Sequence, residues 1–296
     1  MFLRSSSDRP DPALEFIRHD DPAAFLAAAA PLLERNRAAN SGFVSWVKAF
    51  ARNPPATGEV VLLATVHANK DPVAIALRRG GGPLILGESA AAGAATIADA
   101  LVAEMPDLQG IVGGLAACEA FARTWRKATG RAHTLRFHLR DYALTATPPP
   151  ALTPGAARPA TEDDAAWLGD WLVAFVTEAR VADDPQRARS SVPKRIADGR
   201  LWIWEDAGAK SMLGAFEVDD TAARIAPVYT PLAYRGRGYA SALAASVSRT
   251  LLERGKRVVY LTTDLSNATS NGIYQRIGYR PVGDQYQFDF VVPMGS

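Results

Sequence analysis

Cysteine is nearly absent from this 296-residue chain, Cys118 being the only one. A single thiol closes no intramolecular disulfide and cannot build a cysteine-based zinc site, which excludes a disulfide scaffold and a zinc module together. An excess of charge of one sign is missing as well. Lys and Arg number 33 against 31 Asp and Glu, a formal net charge of +2. Residues 1–150 carry 16 basic and 14 acidic side chains and the remainder 17 and 17, so neither half offers the basic surface of a nucleic-acid binder. No apolar run is long enough to span a bilayer: Ala23 to Ala30 is short and close to charges, and Met1 to Asp8 lacks the apolar core of a secretion signal. The chain is thus expected to be cytoplasmic, without nucleic-acid or membrane partners and without a bound metal. Histidine is lacking in one half only. His19, His67, His133 and His138 all precede residue 150, so the second half has no imidazole of its own.

Proline, in contrast, is concentrated where it can divide the chain. Ala146 to Ala157 contains Pro148, Pro149, Pro150 and Pro154, a stretch that continues neither a helix nor a strand. It marks a linker at 146–157 between a domain at 1–145 and another at 158–296, as expected for a chain of this length. In the second domain Thr161 followed by Glu162, Asp163 and Asp164 reads as a helix start, and Trp167, Leu168, Trp171, Leu172 and Phe175 recur at helical spacing. A second helix is predicted over 185–197. Strands are predicted at 201–205, 211–218 and 223–230, a helix at 239–254, a strand at 258–263, a helix at 267–277, and final strands near Tyr279 and Tyr286.

Between the proline-flanked strand and the 239–254 helix stands Arg235-Gly236-Arg237-Gly238-Tyr239-Ala240. A glycine turn that leaves a strand and opens a helix directs several backbone N–H groups and the positive helix end at one spot, a natural phosphate site. Spacing excludes a Walker A loop, since no Gly-Lys-Ser/Thr occurs, and a dinucleotide fingerprint, whose third glycine falls on Ser241. What remains is R-x-x-G-x-A, met by Arg235, Gly238 and Ala240. Pro227 and Pro231 flank the residues before it, and a proline in a strand implies an edge, a bulge or a split sheet. Downstream, Asn267, Ser270 and Tyr274 share one helix face, with Asn267 as cap and Gly278 placed to end the helix.

These three segments together resemble the GNAT superfamily of acetyl-CoA-dependent N-acetyltransferases, whose pyrophosphate signature is [QR]-x-x-G-x-[GA] and whose last helix carries N-x-x-[SA]-x-x-x-Y before Gly-[FY]. The resemblance covers most of residues 157–290. It implies an α+β fold with a mixed, mostly antiparallel sheet flanked by helices and splayed at the cofactor strand. It implies acetyl-CoA as cosubstrate, with Val228, Tyr229 and Thr230 offering main-chain groups to the pantetheine arm. Arg235, Gly236, Arg237, Gly238, Tyr239 and Ala240 would hold the pyrophosphate, both arginine side chains being free to pair with it, and Asn267, Ser270 and Tyr274 would line the cofactor. Tyr274 is the implied acid for the departing thiolate.

The remaining expectations come from the residues themselves. A base in a half without histidine must be a carboxylate, a water held by one, or none at all, and Glu178 and Glu217 are the best placed. The paired tryptophans 167/171 and 202/204, like Cys118, suit core packing better than an acceptor pocket or a nucleophile. The first half repeats the order of elements, with strands at 60–66, 72–78, 83–86 and 111–112, helices at 91–104 and 115–129, and strands near 134–139 and 142–145. At the place of the phosphate turn it has Gly87-Glu88-Ser89-Ala90-Ala91-Ala92-Gly93, whose carboxylate would repel a phosphate. It reads as a degenerate tandem copy without a cofactor. Two functions follow: transfer of acetyl to a primary amine, on a small molecule or peptide, by direct attack in a ternary complex; or a non-catalytic acyl-CoA-binding or sensing module. Either suits a monomer or a homodimer.

Overall fold

Strand and helix boundaries follow the proline and glycine punctuation closely. The computed structural model describes residues 13–52, 61–181 and 184–291; the first eight residues and Val60, used in the expectations above, lie outside these. Along the chain run β1 (Leu14–Arg18), α1 (Pro22–Arg35), α2 (Arg37–Arg52), β2 (Val61–Ala68), β3 (Asp71–Arg79), β4 (Leu84–Leu86), α3 (Ala91–Leu101), β5 (Gly110–Gly113), α4 (Leu115–Thr129) and β6 (Ala132–Leu144). There follow β7 (Ala156–Pro159), α5 (Ala165–Glu178), α6 (Pro185–Ser190), α7 (Val192–Ala197), β8 (Leu201–Glu205), β9 (Ala209–Glu217), β10 (Ala222–Tyr229), α8 (Tyr239–Glu253), β11 (Val258–Asp264), α9 (Ala268–Ile277) and β12 (Arg280–Val291). The helix expected at 185–197 is two helices, the second with Pro193 in its first turn, where a missing N–H costs nothing. The paired strands expected at each half's end are one long strand each, β6 and β12.

The chain forms two compact units, residues 1–36, 50–134 and 288–296 in one, residues 37–49 and 135–287 in the other. This differs from the division expected on either side of 146–157. A strand belongs to the sheet whose edge it pairs with, whatever its place in sequence. In the first unit β1, β2, β3 and β4 are antiparallel neighbours and β4 pairs parallel with β5. The next neighbour of β5 is β12, from the far end of the chain, with Phe290 N donating to Gln109 O at 2.8 Å. Its core holds Phe25, Leu62, Ile75, Leu77, Ile97, Phe121 and Trp125, all fully buried; each such side chain contributes about 1.5–3 kcal/mol of transfer free energy. Cys118 is buried with them, and burial pushes its thiol up to about 12, as suits a packing role.

In the second unit β7, β8, β9 and β10 are antiparallel, β10 is parallel to β11, and β11 pairs antiparallel with β6. The strand that completes this sheet therefore comes from the first half of the chain, and with it comes His138. The expectation of a second half without imidazole holds for the sequence and not for the folded unit. On one face Tyr239, Ala242, Leu243, Val247 and Leu251 of α8 pack over Trp202, Trp204, Leu213, Ile225 and Leu261, so the β8 tryptophans are core residues. On the opposite face α5 and α7 cover Leu201, Ile203, Met212 and Tyr229. There α2 brings Ala38 onto Val218, Ala222 and Tyr260, and its Ser41 accepts from the half-buried Arg224 at 2.8 Å. The 146–157 segment is tied to this unit: Trp204 donates to Pro154 O at 2.8 Å, Arg249 to Pro148 O, and Ala156 and Ala157 already pair with β8.

Candidate functional site

The site is built where two parallel strands part. β10 pairs with β11 only at Ala222, Ala223 and Arg224, although β10 continues to Tyr229 and β11 pairs with β6 as far as Asp264. On its β9 side β10 is irregular between Ile225 and Val228, where Pro227 has no N–H to give the ladder. A Cβ at Gly214 on β9 would clash with the Ala226 carbonyl oxygen and crowd Pro227 Cδ, so only glycine lets the bulge close against its neighbour. The result is the expected split, a slot beside residues 225–229 open at the carboxyl ends of both strands. Ser211 Oγ donates to Tyr229 O at 2.9 Å, and Thr230 Oγ1 donates to Ser211 Oγ at 2.9 Å, which fixes the rim of the slot.

The turn beyond it has the shape its glycines require. Gly236 and Gly238 have φ of +77° and +83°, and Gly238 is the residue that opens α8. A Cβ on Gly238 would stand 2.8 Å from Thr153 Oγ1, so conformation and space both demand glycine. Residues 235–238 are exposed, while Tyr239 is buried with its hydroxyl donating to Asp206 at 2.8 Å. N–H groups in and after such a turn converge as an anion nest at the positive end of a helix.

Arg235 is engaged within the protein, which corrects the expectation that both arginine side chains are free. Its Nε donates to Thr230 O at 2.8 Å, its Nη2 to Glu178 Oε2 at 2.5 Å, and its guanidinium stands 5.7 Å from the centroid of the Tyr229 ring. Tyr229 donates to the other Glu178 oxygen at 2.7 Å. Arg237 is exposed beside the Tyr239 hydroxyl.

The two carboxylates proposed as bases fare differently. The hydrogen bond from Arg235, then that from Tyr229, holds the Glu178 carboxyl below its ordinary range, so Glu178 borders the slot but is a weakened base. Burial, then the Glu178 contact, raises the Tyr229 phenol. Glu217 is not brought into the site. It faces Ala223 at the opposite end of β10, roughly 20 Å from Tyr229 at about 3.3 Å per residue, and pairs with Lys256 at 3.1 Å.

On α9, Asn267 caps the helix as expected, its Oδ1 accepting from Ser270 N at 3.0 Å. Ser270 and Tyr274 are half-buried on the same helix. The Tyr274 ring packs against the core under α8 and meets Tyr279 edge-on, 5.9 Å between centroids. Burial pushes its phenol up to about 12, and no described residue hydrogen-bonds its hydroxyl. The helix is anchored by a residue the motif does not mark. Buried Asn271 accepts from Tyr142 at 2.8 Å and donates to the carbonyls of Asp264 and Asn267 at 2.9 and 2.8 Å. Its partner lies 129 positions away in sequence.

In the first unit the corresponding turn is closed on itself. Gly87 N donates to Ile75 O at 3.1 Å, Ala90 N to Val73 O at 2.7 Å, and Ser89 Oγ bonds both N and O of Ile75. A Cβ on Gly113 would be 2.7 Å from Leu86 O, so β4 and β5 stay together at their carboxyl ends where β10 and β11 part. Among the described residues no cluster of His, Cys, Asp or Glu could hold a metal, and no helix is long and apolar enough to cross a membrane.

Residues 204–288 match the model of the FR47-like protein family. No curated protein shows significant sequence similarity to the chain. Solved structures do match over nearly its whole length: a tandem GNAT protein from the clavulanic acid biosynthesis pathway, at 14% identity and TM-score 0.60, covering 94% of this chain and 98% of that one. A GNAT-family acetyltransferase from Colwellia psychrerythraea matches at 13% identity and TM-score 0.57 over 94% and 100%. A GCN5-related N-acetyltransferase from Sphaerobacter thermophilus matches at 19% and 0.57 over 93% and 95%.

Proposed function

This chain has the fold of the GNAT superfamily in its tandem form, and on that footing we propose that it is an acetyl-CoA-dependent N-acetyltransferase whose cofactor site is in the second unit. The observation that carries the reading is the slot between β10 and β11 leading into the glycine turn of residues 235–240. A pantetheine arm is a narrow chain with amide groups. A strand edge stripped of its partner offers such a chain the pairing it lacks, from Val228, Tyr229 and Thr230. The pyrophosphate then falls on the N–H groups from Gly236 to Ala240, with the exposed Arg237 side chain on the same turn.

In the reaction the primary amine of a small molecule or peptide attacks the thioester carbonyl; the C–N bond forms, the C–S bond breaks, and coenzyme A leaves as thiolate. Tyr274 supplies the leaving proton. Its raised phenol keeps that proton at neutral pH, and among the described residues no acceptor competes for it. Main-chain N–H groups at the slot polarise the carbonyl. Asn267 and Ser270 line the cofactor from the start of α9. The first unit, its turn closed by its own strands, binds no cofactor.

Thermal melting with acetyl-CoA, ATP and NAD, followed by a panel of primary amines with detection of released thiol, tests this directly. A rise in Tm with acetyl-CoA alone, together with thiol release dependent on one class of amine, is the expected result. A rise without turnover across the panel would replace the enzyme by an acyl-CoA sensor, and no rise at all would remove both.

A further inference from the structure

His138 stands at the carboxyl end of the parting strands, on the strand that the first half of the chain lends to the second unit. β6 pairs with β11 from Leu144 to Leu139, and Leu265 N donates to His138 O at 2.8 Å, so His138 is level with the point where β11 ends. Ligands in sheets with parallel strands bind off the carboxyl ends, where neighbours diverge. Side chains alternate along a strand. Tyr142 and Leu144 point into the core under α8, and Arg140, His138 and Arg136 continue that row toward the open end. Arg136 donates to Arg180 O at 2.5 Å, two residues beyond Glu178, and so ties this end of β6 to the segment that borders the slot.

The imidazole is oriented by two contacts. Nε2 lies 3.0 Å from Asp284 Oδ2 on β12. A carboxylate accepts only, so Nε2 carries the hydrogen, and in the neutral ring Nδ1 holds the lone pair. Among the described residues nothing donates to Nδ1. Asp284 receives Arg140 Nε at 2.8 Å and Nη2 at 2.9 Å, bonds that hold its carboxyl below the ordinary range and keep it ionised. The ring stacks on Tyr286 with centroids 4.4 Å apart and planes 21° from parallel. The side chain is 31% exposed, enough to meet solvent while its plane is fixed.

We propose that His138, oriented by Asp284, is the base that takes the proton of the attacking amine, directly or through one water. The inference rests on the acetyltransferase reading. In the balanced step the amine nitrogen bonds the carbonyl carbon, its proton passes to His138 Nδ1, the thiolate leaves, and Tyr274 protonates it. The two protons exchange with solvent after products depart. Strand exchange thereby supplies the group that the second half of the sequence lacks, and Glu178, held by Arg235 and Tyr229, is relieved of the role.

The test is the pH profile of kcat/KM for an amine that the wild-type chain acetylates, measured for wild type, H138Q and D284N. Asp284 and Tyr286 on β12 contact the ring, Arg136 and Arg140 lie next along its row on β6, and Asp264 of β11 pairs with the adjacent Leu139, so the profile must be compared between variants rather than assigned alone. H138Q is expected to lower kcat by about 10²-fold or more, to lose the acid limb of the profile, and to keep the acetyl-CoA-induced rise in Tm. D284N keeps the ring but not its tautomer; it should lower kcat with Kd for acetyl-CoA unchanged. Free imidazole should restore part of the rate in H138A. An H138Q protein with wild-type kcat and an unaltered acid limb overturns the inference alone. A wild type that binds acetyl-CoA and acetylates no amine overturns the enzyme reading and this inference with it.

Discussion

Arg235, the first residue of the phosphate-turn signature, donates to Glu178 at the end of α5 at 2.5 Å. One ion pair thus joins the loop that would receive the pyrophosphate to the helix that borders the slot. Both side chains are nearly half exposed, 44% and 46%, and pairs of that kind contribute less than about 1 kcal/mol. Glu178→Gln should therefore change the urea midpoint little. It should free Arg235 for phosphate and tighten acetyl-CoA binding by roughly 3-fold at low salt, the charge-assisted contact being the stronger one. Calorimetric titration at two salt concentrations reads this; weaker binding in the variant would mean that the pair holds the turn in its binding shape.

Gly238→Ala places a methyl 2.8 Å from Thr153 Oγ1 on a backbone with φ of +83°. The left-handed conformation alone costs an L-residue about 1–2 kcal/mol. The turn is expected to rearrange, and with it the N–H groups that face the phosphate. Acetyl-CoA should no longer raise Tm, while far-UV circular dichroism stays that of the wild type. A preserved cofactor shift would place the pyrophosphate elsewhere.

Tyr274→Phe removes one hydroxyl that no described residue hydrogen-bonds and leaves the ring against Tyr279. Stability and acetyl-CoA affinity should hold, and kcat should fall by about 10²-fold. Single-turnover measurement of thiol release separates this from slow product release. Unchanged kcat would take the acid's role from Tyr274.

Asp164 reports on the start of α5 through pH. It accepts from Arg158 Nη1 and Nη2 at 2.7 and 2.9 Å and from Thr161 N at 2.8 Å. The Arg158 bonds, opposed by burial and aided by Thr161, depress its pKa. A carboxyl depressed in the folded state stabilises above its unfolded value of about 3.9, and that stability is lost as pH falls through the folded value. Asp164→Asn should cost about 2 kcal/mol at pH 7, with the gap to wild type closing as pH falls below the unfolded value and through the depressed folded one. Urea unfolding across that range is the measurement, and a constant gap would contradict the linkage.

The legible parts of this molecule are local. Arg235 to Ala240 announces a strand-to-helix turn because glycine is needed at fixed offsets, and the prolines at 227 and 231 announce an interrupted ladder because they lack a donor. Asn267 as a cap and Gly278 as a helix stop are local in the same way. What the sequence hides is pairing over distance. Nothing near residue 138 says that its strand joins β11, so the histidine was counted with the wrong half. Asn271 sits unmarked beside Asn267, and its partner Tyr142 is invisible until both reach one face. Glu217 is close to β10 in sequence, but antiparallel register puts it opposite Ala223, at the far end from Tyr229. The tie between Arg235 and Glu178 spans 57 positions and no spacing rule reaches it.

The exchange of β6 and β12 has a consequence for dissection of the chain. A fragment that begins after residue 157 keeps every residue of the acetyltransferase signature and loses the strand along which β11 pairs from Val259 to Asp264. It would present a raw sheet edge to any neighbouring chain. It would also lack α2, whose Ser41 receives the Arg224 guanidinium. The smallest heritable module here is the whole tandem, because each half carries a piece of the other's completeness.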